Sequence, residues 1–260
     1  MIFDTHAHYD DEAFDEDRER LIEEISQSNI SKIVNVGANL STSENSVALS
    51  KKYDFFYAAV GVHPDDAAEV TDEGVDKLRE LAKWKKVVAI GEIGLDYYWN
   101  KDNTELQKEA FKRQIELAKE LSLPIIVHSR EAAKDTMDIL RESEAGKTGG
   151  VIHCFSYSPE IAVESVKMGF YIGIGGVVTF KNAKKLKESV EVIPLEKIVL
   201  ETDCPYLAPD PFRGKRNSSL YLEYVVKEIA RLKGLDEETV IEQTYKNALN
   251  MYKIEEKSKE

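Results

Sequence analysis

Pro124-Ile125-Ile126-Val127-His128 is a short apolar run that opens at a proline, closes at a histidine and is followed from Arg130 to Glu142 by an amphipathic stretch. A run of this length without polar alternation reads as a strand buried on both faces, the condition of a parallel sheet covered by helices. The same unit recurs on either side. Further strands are predicted at Ile2 to His6, Lys32 to Gly37, Phe55 to Val62, Val87 to Ile93, Gly150 to Cys154, Phe170 to Ile174 and Ile198 to Asp203, making eight. Helices are predicted at Glu16 to Asn29, Thr42 to Lys52, Asp72 to Lys83, Thr104 to Leu121, Arg130 to Glu142, Pro159 to Met168 and Asn182 to Ile193. Leu220 to Lys233 and Glu237 to Tyr252 follow the last strand. Eight strands with helical crossovers close most naturally into an α/β fold of the (β/α)8 TIM-barrel type, with an open doubly wound sheet as the alternative.

The bulk properties agree with one such unit. At 260 residues and 42% hydrophobic content the chain can bury one sizeable core, and barrels of this kind commonly take about 250 residues. A single domain over residues 1–254 is expected, with a charged tail from Glu255 to Glu260 that frays. No apolar run approaches the roughly 18 residues of a membrane span, and no signal-type N-terminus is present, so a cytoplasmic protein without membrane association is expected. The net charge of -13 argues against non-specific coating of nucleic acid, which rests on Lys and Arg neutralising phosphates. Cys154 and Cys204 are too few for a disulfide framework and read as buried thiols. Charged residues reach 32%, against about 25% in ordinary domains, the lean of heat-adapted proteins.

All five histidines, His6, His8, His63, His128 and His153, fall at the C-terminal end of a predicted strand or just beyond it. In a barrel that face carries the active site. In Asp4-Thr5-His6-Ala7-His8, side chains alternate along an extended strand, so His6 and His8 point to one side and can chelate one ion. In Ile90-Gly91-Glu92-Ile93-Gly94 a carboxylate lies inside the most apolar strand, where an unpaired charge would cost several kcal/mol. It needs a cation, and Glu92 can give one oxygen to each of two ions about 3.5 to 4 Å apart. His128 and His153, from adjacent strands, supply imidazoles for the second ion. Asp203 ends the strand that neighbours the first in a closed barrel; it can ligate the first ion and accept a proton from water. Asp4 and Glu201 share the inward parity of their neighbours and either orient the imidazoles from behind or form salt bridges inside the barrel.

These residues resemble the TatD-type deoxyribonucleases of the amidohydrolase-like metal-dependent hydrolases. The resemblance covers nearly the whole chain. It rests on Asp4-Thr5-His6-Ala7-His8, Gly61-Val62-His63-Pro64, Gly91-Glu92-Ile93-Gly94-Leu95-Asp96-Tyr97-Tyr98 and Val127-His128-Ser129-Arg130. It continues through Ile152-His153-Cys154-Phe155-Ser156, Gly173-Ile174-Gly175-Gly176, Glu201-Thr202-Asp203-Cys204-Pro205-Tyr206-Leu207-Ala208-Pro209 and Arg213-Gly214-Lys215-Arg216-Asn217. It implies one divalent metal on His6, His8 and Asp203, a second on His128 and His153, Glu92 between them, and hydrolysis of DNA phosphodiesters. The family is usually described as magnesium-dependent, although so many imidazoles suit zinc or manganese at least as well. One departure follows Asn217. Relatives commonly continue Glu-Pro there, whereas this chain has Ser218-Ser219, which alters the loop expected to contact substrate.

The expected chemistry is in-line attack on phosphorus by a water that the two ions activate, with Asp203 taking its proton. His63 is placed to contact the phosphate or stabilise the leaving oxygen, or else packs its loop. Arg213, Lys215 and Arg216 form a dense basic cluster that could seat substrate phosphates; Arg130 has a similar claim. Tyr97, Tyr98 and Trp99 either stack on bases of a single strand or pack over the mouth. A net-acidic chain with such local groups suits an exonuclease acting at a DNA strand end better than a duplex binder. Alternatives are an ester or amide hydrolase, such as a D-aminoacyl-tRNA deacylase, and a non-catalytic scaffold. No protein partner can be inferred.

Overall fold

The computed structural model describes residues 1–255; the predicted tail lies, from 256 onward, outside the described residues. The eight strands are β1 (Ile2–Ala7), β2 (Ile30–Val36), β3 (Phe56–Val60), β4 (Val87–Asp96), β5 (Ile125–Arg130), β6 (Gly150–Ile152), β7 (Phe170–Ile174) and β8 (Ile198–Leu200). They form one sheet in sequence order, every adjacent pair parallel. The two ends of the sheet meet. Ala7 bridges Cys204 in parallel, and the His8 and Asp203 amides donate to the carbonyls of Cys204 and His6 at 2.8 and 2.9 Å. This seam makes a nearly closed (β/α)8 barrel and removes the open-sheet alternative.

The helices are α1 (Arg18–Ser26), α2 (Leu40–Lys52), α3 (Asp72–Leu81), α4 (Thr104–Leu121), α5 (Ala133–Glu142), α6 (Pro159–Lys167), α7 (Lys184–Val192), α8 (Leu222–Lys233) and α9 (Glu237–Tyr252). Local chemistry sets their starts. Asn39 and Thr42 form a reciprocal capping box, so α2 begins before the predicted Thr42. Their apolar stripes, such as Val225, Val226 and Ile229 of α8, pack outside the strands. α9 does something else. Its Tyr245, Ala248, Met251 and Tyr252 join Phe3, Val34, Ala59, Val88, Ile126, Val151 and Val199 in a separate cluster near the strands' N-terminal ends. The Tyr252 hydroxyl donates to the Thr5 carbonyl at 2.8 Å, so α9 floors the barrel.

Departures from the predicted strands concentrate at the opposite face. β6 and β8 stop at Ile152 and Leu200, short of the predicted Cys154 and Asp203. Both of those residues adopt left-handed backbone, at φ 44° and 58°, which turns the chain at the mouth. β4 carries one extra residue against β5, since Ile90 pairs with Ile125 but Ile93 with Val127. The bulge falls at Gly91–Glu92, where a Cβ on Gly91 would lie 2.5 Å from that of Ile126. A bulge re-aims a side chain, here the carboxylate of Glu92. Gly94, at φ 148°, lets β5 approach; a Cβ there would run into the His128 carbonyl.

Ser218 and Ser219 do not form a substrate-contacting loop. Both are buried, and Ser219 belongs to the seam. Its hydroxyl donates to Asp4 at 2.6 Å and its amide donates to the Tyr9 hydroxyl at 3.0 Å. A proline at 219 could not supply that amide. The free thiol of Cys204 is buried as expected, but Cys154 is only half-buried at the mouth. Among the described residues no helix is long and apolar enough to cross a membrane. Ser219→Ala removes a buried donor to a carboxylate and should cost about 1 to 3 kcal/mol. The expected result is a thermal midpoint lower by several degrees with metal content unchanged, measured by calorimetry and metal analysis.

Candidate metal centre

Five strand ends bring the centre together. His6 lies within β1 and His8 one residue past it; the β4 bulge presents Glu92, β5 presents His128, and the turn after β6 presents His153. Asp203 follows β8 across the seam. The Nε2 atoms of His6 and His8 are 3.1 Å apart, and Asp203 Oδ1 lies 3.7 and 3.3 Å from them. Glu92 Oε2 closes the group, 3.5 Å from His6 and 3.9 Å from His8. On the other side, Glu92 Oε1 is 2.7 Å from His128 Nδ1 and 3.0 Å from His153 Nε2. The two oxygens of Glu92 therefore face two separate sets of imidazoles. Donors of His63, Glu92 and His128 also converge within 4.8 Å, as do those of His6, His8 and Asp203.

This arrangement fits divalent cations. Nitrogen and oxygen lone pairs that converge from five strand ends cannot all be satisfied by hydrogen bonds among themselves, and a cation fills such points. The ionisation pattern agrees. Burial alone would raise the Glu92 carboxyl, but the charge of His153 and hydrogen bonds from His128 and His153 outweigh it and hold it well below the usual range. Burial works against Asp203 ionising too, and the hydrogen bond from His8 overcomes it. Burial would lower His8, yet Asp203 and Glu92 lift it to about 9. Without a metal, protons on His8, His128 and His153, each raised by neighbouring carboxylates against the effect of burial, carry the positive charge that the carboxylates demand.

The surroundings order these groups. His8 Nδ1 meets the Val36 carbonyl at 2.9 Å, and Asp96 Oδ2 stands 3.2 Å from His128 Nε2. Asp96 was not among the sequence-predicted site residues. Its signal was the alternation along β4 that gives it the parity of Glu92, and its other oxygen is secured by the amides of Tyr98 and Trp99. Asp4 accepts from the Thr202 amide, the Thr202 hydroxyl and Ser219, so it pins the seam and reaches no imidazole ring. Glu201 accepts the Cys154 amide and stands 3.5 Å from His153 Nδ1. His63 accepts the Asp65 amide on Nδ1 and packs edge-on against the His128 ring; burial and the charge of His128 lower it to about 4.

The centre opens into a cavity of about 790 Å3, lined by His8, His63, His128 and His153 and by the acids Asp10, Asp11, Glu12 and Asp65. Arg130 is the one Lys or Arg lining it among the described residues. Its guanidinium rests 4.1 Å from the ring centre of Tyr98 and 5.5 Å from that of Trp99. Tyr97 turns away, its hydroxyl on Asp135. The predicted basic cluster lies off the cavity. Arg213 sits over the Phe180 ring and Lys215 over that of Phe212, while Arg216 is bound by both oxygens of Asp17 and by the Ala13 carbonyl.

Known proteins resemble this chain along nearly its whole length. The family model described as TatD related DNase matches residues 3–253. A Bacillus subtilis (strain 168) protein described as uncharacterized metal-dependent hydrolase YabD is 48% identical over 254 residues, covering 98% of this chain and all of that one. The 3'-5' ssDNA/RNA exonuclease TatD of Cronobacter sakazakii is 34% identical, across 96% of this chain and 97% of its own. The crystal structure of the TatD homolog YJJV from Escherichia coli superposes with a TM-score of 0.91 at 29% identity, covering 98% of each chain. With its barrel, its converging imidazoles and carboxylates, and a match running almost from end to end, the chain belongs to the TatD family of metal-dependent hydrolases.

Proposed function

We propose that this protein is a deoxyribonuclease that releases nucleotides from the end of a single DNA strand, with residues 1–254 acting as one catalytic domain. The observation that carries the reading is Glu92, whose two oxygens face the His6–His8–Asp203 group and the His128–His153 pair. Those six residues would hold two divalent ions, magnesium, manganese or zinc, which when bound activate water and neutralise charge on a phosphate. The chain's own groups do the rest. Asp203, ionised and partly open to the cavity, takes the proton of the attacking water. His63, neutral at its lowered pKa, hydrogen-bonds the phosphate or the leaving oxygen. Arg130, braced on Tyr98 and Trp99, seats a substrate phosphate, and the exposed face of Trp99 stacks on a base.

The acids lining the cavity favour a strand end over duplex. Asp10, Asp11, Glu12 and Asp65 repel phosphates arriving along the mouth, so a polyanion gains by entering end-first toward the centre. Arg213, Lys215 and Arg216 stand off the cavity and serve at most the outgoing strand. The same scarcity of cations favours a second reading, an ester or amide hydrolase of small substrates, for which one guanidinium suffices.

In a test with end-labelled single-stranded DNA and added magnesium, manganese or zinc, the wild type is expected to release nucleotides and bind about two ions per chain. Glu92→Ala and Asp203→Asn are expected to lose that release, and Glu92→Ala to lose ions as well. Two bound ions with intact DNA would refute the nuclease reading and direct attention to esters and amides. Arg130→Ala should raise KM for single-stranded DNA about tenfold or more, the worth of a charge-assisted hydrogen bond. Arg216→Ala, whose partner is Asp17, should leave KM within about twofold, the surface ion pair contributing little. Steady-state kinetics of both variants decide which cation meets substrate.

A further inference from the structure

Among the described residues three buried side-chain polar atoms have no hydrogen-bond partner: His6 Nδ1, His153 Nδ1 and Glu201 Oε2. They belong together. The His6 and His153 rings stack with centroids 3.8 Å apart and planes 16° from parallel, and donor atoms of His6, His153 and Glu201 lie within 4.8 Å of one another. Both rings turn Nε2 toward Glu92, His6 to Oε2 and His153 to Oε1. What remains on each is Nδ1. Glu201 is 1% exposed, its Oε1 takes the Cys154 amide, and no Lys or Arg pairs with it among the described ion pairs. Its Oε2 occupies space that β7 leaves by having no side chain at Gly173, where a Cβ would lie 2.2 Å away.

A neutral imidazole carries one hydrogen. To offer Nε2 to a cation it must keep that hydrogen on Nδ1, and a buried N–H needs an acceptor. His8 has the Val36 carbonyl for its Nδ1, whereas His128 is turned the other way, with Nδ1 on Glu92 and Asp96 as the acceptor for Nε2. His6 and His153 have none apart from Glu201. The three unpartnered atoms are two donors and an acceptor with two lone pairs, a complementary set, and Glu201 already stands close, with Oε1 3.5 Å from His153 Nδ1.

Resting on the reading of His6 and His153 as metal ligands, we propose that Glu201 is a positioning residue for both ions at once. Its carboxylate accepts the Nδ1 hydrogens of His6 and His153, one imidazole from each ion's set, and so leaves both Nε2 lone pairs for metal. Asp4, of the same inward parity, has no such role because Thr202 and Ser219 occupy its oxygens. A shared acceptor ties the two positions together, and disturbing it loosens both.

The test is Glu201→Gln, which keeps shape and leaves a carbonyl for the Cys154 amide but turns an NH2 toward the rings. That group donates to Nδ1 and drives the imidazole hydrogen onto Nε2, where it blocks a cation. Affinity at both positions is expected to fall about 10- to 100-fold by titration calorimetry, with the thermal unfolding of the metal-free variant cooperative as in wild type. Independently of any variant, 15N NMR of zinc-loaded wild type should find hydrogen on Nδ1 of both His6 and His153. Wild-type affinity at both positions in Glu201→Gln, loss at one position alone, or a bare Nδ1 on either ring would overturn the proposal while leaving the ligand reading intact. Undiminished ion binding in His6→Ala and His153→Ala would remove the ligand reading, and the proposal with it.

Discussion

A carboxylate in the middle of a ten-residue strand that is buried along its whole length is the constraint around which this molecule is arranged. Glu92 cannot sit there as a lone anion, since the desolvation cost of a charge in apolar surroundings exceeds what a single protein tolerates without compensation. Compensation arrives from neighbouring walls of the barrel as imidazoles, His6 and His8 from the end of β1, His128 from β5 and His153 from the turn after β6. Parallel strands in sequence order deliver this convergence automatically, because every strand finishes at the same face. The bulge at Gly91–Glu92 turns the carboxylate into that convergence. Sheet, bulge and histidines thus answer one electrostatic demand.

The distribution of charge outside the centre tells a complementary story. The chain is acidic overall at -13, its cavity is lined by acids, and its basic residues near the mouth are mostly committed to aromatic rings or to Asp17. Attraction for an anion is therefore concentrated at the bottom of the cavity and at Arg130 rather than spread over the surface. Such a field guides a substrate inward and discourages lateral adhesion.

Much of this was legible in the residues. Strand ends marked by histidine after an apolar run located the barrel and the donors of the centre, because both periodicity and the rule that barrel sites sit at strand termini depend on local sequence. What escaped depended on long-range partners. Asp96 has the parity of Glu92, but nothing nearby in sequence says that His128 stands opposite it. Arg216 reads as part of a basic cluster until Asp17, far away in the chain, is seen holding it. Ser218 and Ser219 read as a loop variation, whereas both are buried and the partners of Ser219, Asp4 and Tyr9, make it part of the seam. The strands end at Ile152 and Leu200, short of Cys154 and Asp203, because both of those residues take left-handed backbone, which leaves no trace in composition.

The placement of α9 bears on biosynthesis. The helix that floors the barrel follows all eight strands, so on the ribosome every strand leaves the exit tunnel before the floor does. Until those last turns emerge, Phe3, Val34, Val151 and Val199 present a bare apolar pit to the cell. The barrel is thus completed from below by a segment made after every strand, and the nascent chain stays exposed to chaperones and to sticky encounters until that segment emerges.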